Sequence, residues 1–246
     1  MNRVFTWCSI VGALIMVLWA AGANATIVPL TWDYASTVDS YAYAKAKNKT
    51  DDDTRTAQGA NAQASAQAHA FASQAGQNED AYLTTTCGGS TDSNGAKIHS
   101  RLQFSCVGNG TTDAFGEGTG AFDGVLSVGT SQWFPAGSDG PTLTVETLVT
   151  LPTTGWSTVG WTMSLYEYEG GPLLAAFDQS NDHGAVPVKA GQAVYVRFTH
   201  SGNSGHKTSN TSLETDLDVS FDIIPEPSAV AMLCLVGGLV ARRRKK

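Results

Sequence analysis

From Ala60 to Ala72 every even-numbered residue is alanine, and the odd positions hold Asn61, Gln63, Ser65, Gln67, His69 and Phe71. Side chains in a strand alternate faces with a period of two, so this parity predicts one small, flat face opposite a polar one. Alanine is also the best helix former, which makes helix the rival reading. The strict parity decides for a strand. A shorter copy precedes it, with Ala42, Ala44 and Ala46 against Tyr41, Tyr43 and Lys45. Residues 40–47 and 57–72 are expected to form a hairpin across a polar turn at 48–54, which contains Asp51-Asp52-Asp53.

Period-two pattern continues through most of the chain. Strands are expected over 98–107, 125–128, 142–151 and 161–169. Another, at 193–200, should pair with an earlier strand through the turn Ala190-Gly191-Gln192. The clearest is the last, where Leu213, Leu217, Val219, Phe221 and Ile223 alternate with Glu214, Asp216, Asp218, Ser220 and Asp222. One apolar and one acidic face suit an antiparallel strand buried on one side. Residues 87–96 read as a loop and 108–120 as a glycine-rich connection. Within the latter, Gly116-Glu117-Gly118-Thr119-Gly120 lacks the spacing and flanks of a dinucleotide fingerprint. Many short strands between turns predict an all-β domain over 26–224, an antiparallel β-sandwich with jelly-roll-like order.

The two ends differ from this body. Residues 1–25 have the form of a signal peptide: Arg3, an apolar run over 10–21, and Ala23-Asn24-Ala25 before Thr26 as the cleavage box. Cys8 precedes that apolar run, so it is not a lipoprotein cysteine. At the other end, residues 225–246 begin with Pro225-Glu226-Pro227, where two prolines fix φ and withhold amide donors. An apolar stretch follows, expected as a helix over 228–241 that Ser228 caps. Arg242, Arg243, Arg244, Lys245 and Lys246 then complement the helix dipole and resist crossing a bilayer. At 1.5 Å per residue that helix is about 21 Å long, short of a core of about 30 Å. Snorkelling cations or local thinning would cover the difference.

This order of Pro-Glu-Pro, apolar helix and basic end resembles the PEP-CTERM sorting signal of exopolysaccharide-producing Gram-negative bacteria. The resemblance implies that a membrane-embedded exosortase recognises the tail and cuts near Pro225, Glu226 and Pro227. It also implies delivery to the cell surface or an extracellular, biofilm-type matrix. An uncut tail anchor is the alternative. On either reading the membrane is met only through the terminal segments, and 26–224 lies outside the inner membrane.

Without its ends the chain keeps 9 of 15 basic and 21 of 22 acidic residues, a net charge of −12. Such a surface lacks the basic footprint of a nucleic-acid binder and suits neutral glycans, or acidic ones bridged by divalent cations. Two cysteines remain, Cys87 and Cys106. In an oxidising compartment they are expected as a disulfide, closing a loop of about 20 residues and contributing roughly 3 kcal/mol.

Residues with catalytic or ligand chemistry are few. Glu167 and Glu169, on one face of a strand and about 7 Å apart, have the separation of an inverting glycosidase pair. A strand end surfacing before Gly170-Gly171 is the favoured reading. Ser204-Gly205-His206-Lys207 satisfies Ser-x-x-Lys without the partner motifs. Calcium could bind through oxygen ligands at Asp178, Asn181 and Asp182, or at Asp51-Asp52-Asp53, but neither loop fits an EF-hand, and solvated turns are the favoured reading of both. Trp133, Trp156 and Trp161 could stack on sugars, but tryptophan in a sandwich more often fills the core. The expectation is a non-enzymatic surface or matrix protein. A carbohydrate-binding module is the alternative, calcium-dependent or not, and a glycan hydrolase the third reading.

Overall fold

The computed structural model describes residues 28–34, 36–74, 76–92, 95–109, 113–131, 134–149 and 154–224. The expected signal helix and tail helix lie outside these residues. Among the described residues every regular element is a strand. In chain order these are β1 (Leu30–Trp32), β2 (Thr37–Ala46), β3 (Lys49–Gln58), β4 (Gln63–Gln74), β5 (Gln77–Asp92), β6 (Gly95–Gly108) and β7 (Ala114–Val128). There follow β8 (Asp139–Val149), β9 (Thr158–Tyr166), β10 (Leu173–Asp178), β11 (His183–Lys189), β12 (Ala193–Asn203) and β13 (Thr211–Ile224).

The strands form two antiparallel sheets facing each other as a β-sandwich. One has the order β10-β9-β12-β7-β2-β3, with β1 pairing the end of β7; the other is β11-β8-β13-β6-β5-β4. From Gln63 onward the alanine run is the strand its parity predicts, and its alanines from Ala64 to Ala72 are buried. Residues 57–58 instead end β3, and 59–62 turn between the two strands, leaving Ala60 only partly buried. Successive strands often change sheet, so β12 enters the middle of the first and β13 the middle of the second.

The space between the sheets is filled in two ways. At one end, Trp32 packs edge-on against Phe122 and Phe221, with ring centroids at 4.6 and 5.5 Å, among Leu126, Met163 and Leu165. Its indole N–H donates to the carbonyls of Ser90 (3.1 Å) and Lys97 (3.3 Å). At the other end Ala42, Ala44 and Ala46 of β2 meet Ala66, Ala68, Ala70 and Ala72 of β4. Cα atoms of these strands come within 8 Å of each other, inside the usual sheet spacing of about 10 Å.

Several expectations fail because they treated neighbours in sequence as neighbours in a sheet. Residues 40–47 and 57–72 do not pair; β2 and β4 belong to opposite sheets. The partner of β2 is β3, across a two-residue turn in which Lys47 takes a left-handed φ of 48°. The supposed turn at 48–54 is therefore largely strand. Residues 87–92 continue β5 instead of starting a loop, and 114–120 belong to β7. The inward glycines of β7 make room for the facing sheet. A Cβ at Gly116 would stand 2.3 Å from the Phe104 ring, and one at Gly118 2.5 Å from Thr85 Oγ1. The turn at Ala190-Gly191-Gln192 carries the chain from β11 to β12 in the other sheet.

The expected Cys87–Cys106 disulfide is absent, and both thiols are free and buried. Cys87 stands opposite Ser100, while Cys106 stands opposite Ala81. Six residues of strand separate those positions on β6, about 20 Å at about 3.4 Å per residue. A disulfide needs Cα atoms within about 7 Å.

On the alanine side the two edge strands shield each other. Asp53 Oδ2 accepts the amide of Gln67 (3.1 Å) and Asp51 Oδ2 accepts that of His69 (2.8 Å). These amides lie on the edge of β4, where unpaired donors invite another strand.

Candidate functional site

The outer face of the first sheet carries an open depression of about 440 Å³. Strands β9 and β12 set its base by placing Thr162 opposite Thr199 and Gly160 opposite Ser201. Asp178, Gln179 and Ser180, in the turn after β10, form one wall. It is shallow, and hydroxyl, amide and carboxylate groups line it beside the apolar surface of Gly160, Trp161 and the threonine methyls. Gln179 is held by a bond from its Nε2 to the carbonyl of Val159 (2.9 Å).

Trp161 also borders this depression, but only 5% of it is exposed and its indole N–H has no protein partner. Beneath it lies a void of about 10 Å³, shared with His200, Thr215 and Leu217, roughly the space of one water. Burial pushes His200 down to about 4, so the ring is neutral at pH 7, with Nδ1 3.1 Å from Ser100 Oγ.

The residues singled out for calcium do not face a common point. Asp178 Oδ1 accepts from Ser180 Oγ (2.6 Å), Ser180 N (2.8 Å) and Asn181 N (3.1 Å). Those bonds, that from the Ser180 hydroxyl foremost, hold its carboxyl below the usual range. Asn181 Nδ2 donates to the carbonyl of Ala176 (2.9 Å), and Asp182 lies 2.6 Å from His183 Nδ1, which lowers its carboxyl. Asp51 and Asp53 are engaged by the β4 edge. Among the described residues no three His, Cys, Asp or Glu side chains come together as metal ligands.

Glu167 and Glu169 lie beyond the end of β9, exposed in the turn that the Glu167 amide closes onto the Pro172 carbonyl. They are not the same-strand pair the spacing suggested, and neither lines the depression. Trp156 and Trp161 are core residues; Trp133 lies outside the described residues. Ser204 Oγ bonds backbone at Gly116 and Gly205, while Lys207 Nζ donates to the carbonyl of Gly155, so the Ser-x-x-Lys match has no paired geometry. Ala23, Ala25, Thr26, Pro225, Glu226, Pro227 and the five terminal cations also lie outside the described residues.

Sequence reading overlooked the outer face of the second sheet. There Phe71 is 48% and Tyr82 42% exposed, and His69 stacks on Tyr82 with centroids 4.0 Å apart and planes at 8°. The signal was present in the alternation, which puts His69 and Phe71 on the parity opposite the alanines, and so outward.

No family model and no curated protein matches the chain. A solved structure described as concerning the promiscuous specificity of carbohydrate-binding modules from the β-sandwich superfamily is similar over 81% of this chain and 95% of that one. The identity is 9% and the TM-score 0.18. A likeness that slight says nothing about the ligand of this chain.

Proposed function

We propose that this chain is an exported, non-enzymatic protein of the cell surface or extracellular matrix, sorted through its tail and processed by an exosortase. Its jelly-roll-like sandwich then serves an exopolysaccharide layer. The observation that supports this reading is where the sheet ends. Strand β13, in the middle of the second sheet, is paired to β8 as far as Ile224, the residue before Pro225. The pairs that β13 makes among the described residues therefore all lie before the Pro-Glu-Pro, and a cut there leaves those pairs whole. Intact mass of the polypeptide recovered outside the cells tests this. The expected product begins at Thr26 and lacks Arg242 to Lys246; a product that retains those cations contradicts it.

A carbohydrate-binding module is the second reading, favoured by the hydroxyl- and amide-lined depression over β9 and β12. Such side chains offer donors and acceptors to sugar hydroxyls. Glycan binding with and without a chelator would separate a calcium-dependent module from a calcium-free one.

A further inference from the structure

The outward positions of β4, β5 and β6 form rows across the second sheet. Gln67, Thr84 and Gln103 make one row, and His69, Tyr82 and Ser105 the next. The amides of Gln67 and His69 turn to the β3 carboxylates and away from β5. His69 and Tyr82 are thus a non-hydrogen-bonded cross-strand pair, the arrangement that brings side chains closest. Their rings stack, and Asp80 Oδ1 holds His69 Nε2 at 2.9 Å. Phe71, two residues along β4, presents a second exposed ring on the same face.

We propose that this face binds a neutral polysaccharide, with sugar rings stacked on Phe71 and Tyr82 and hydroxyls bonded by Gln67, Thr84 and Gln103. An aromatic face is electron-rich and complements the C–H face of a pyranose. The Tyr82 ring is already ordered by its stack on His69, which Asp80 holds in turn, so little freedom is lost there on binding. From Ser65 to Phe71 the strand runs about 20 Å at about 3.4 Å per residue, room for a run of sugars. Charge selects the class of polymer. The hydrogen-bonding side chains beside the rings are neutral, and Asp80 is occupied by His69. Glu214, which stands opposite Gln103, is paired with Arg101 and accepts from Gln103 Nε2 (2.6 Å), leaving the Gln103 side-chain carbonyl for a sugar hydroxyl. Single-stranded nucleic acid also stacks on aromatics, but it needs a free cationic track, and the outward basic residues of β6, Lys97, His99 and Arg101, each lie against a carboxylate.

The proposal rests on the exported-protein reading only for where the polymer is met; binding is measured on the purified full chain in detergent. Native gels cast with hydroxyethylcellulose, galactomannan or xyloglucan supply the neutral probes, and alginate the anionic one. At least one neutral polymer should retard the protein and alginate should not. Phe71→Ala and Tyr82→Ala should each weaken that retardation about three- to tenfold. Tyr82→Leu, which keeps the bulk, should do the same, and Tyr168→Ala, in the turn after β9, should change nothing. Unchanged melting temperatures would show that the outward variants fold. No retardation by any neutral polymer overturns the proposal. So does retardation that survives both alanine variants, or a self-association that they abolish with no glycan effect. A tail left uncut in cells would refute the sorting reading and leave these results standing.

Discussion

Around Trp32 rings and branched side chains fill the space between the sheets; around Ala68 there is almost no space to fill. The first end gains stability through large apolar groups and aromatic edge contacts. The second brings backbones together, with methyl groups on β2 and β4 and glycines on β7 where Phe104 and Leu83 press in. Burial per residue is therefore larger at the tryptophan end, and tolerance of added volume is smaller at the alanine end.

That difference is open to direct attack. Trp32→Ala removes two ring contacts and the donor to two carbonyls, and should cost about 3–5 kcal/mol in urea unfolding. His200, between the two ends, tests whether the junction is dry. Its folded value of about 4 lies below the unfolded value near 6.5, so its contribution is fully present above about 6.5. It is lost as pH falls from there to about 4, because the unfolded chain takes up the proton first. His200→Gln should flatten that part of the stability–pH curve. Ala68→Leu forces volume into the thin end and should cost about 1–3 kcal/mol, whereas the outward Ser65→Leu should be near neutral by thermal melting. If Ala68→Leu were tolerated as well as Ser65→Leu, the sheets would not be in close contact there.

The smallest effect concerns the shielded edge. The Gln67 amide and Arg55 hold the Asp53 carboxyl below its usual value. This support is present above the unfolded value near 3.9 and is lost as pH falls through the lower folded value. Asp53→Asn should be slightly less stable than the parent at pH 7 and equal to it in strong acid. A gap that persists in acid would mean that the carboxylate charge is not what shields the edge.

How much of this was legible follows from what each pattern encodes. The parity of the alanines states a period of two, and so strand and buried face were readable from Ala64 to Ala72, though not the turn at 59–62 that precedes them. Pairing was not, because a small flat face suits a partner across the sandwich as well as one within a sheet. Strand β3 was hidden for another reason. As an edge strand of Lys, Thr, Asp and Arg it has little apolar alternation, and its carboxylates work on the backbone of β4. Gly116, Gly118 and Gly120 looked like connection, since the large residues that require them lie elsewhere in the chain. Of the candidate sites, Asp178 and Trp161 do meet at one depression, but the aromatic pair of the second sheet depends on the β4–β5 register. The paired glutamates failed because β9 stops at Tyr166.

The β5–β6 register keeps the two cysteines of the body apart, and with it Leu83 and Thr85 of β5 face the β7 glycines. Alkylating the purified, non-reduced protein in denaturant and mapping its peptides tests that register. Cys87 and Cys106 should both carry the label, even in protein recovered from an oxidising compartment. An unlabelled pair joined as Cys87–Cys106 would contradict the register and the packing built on it.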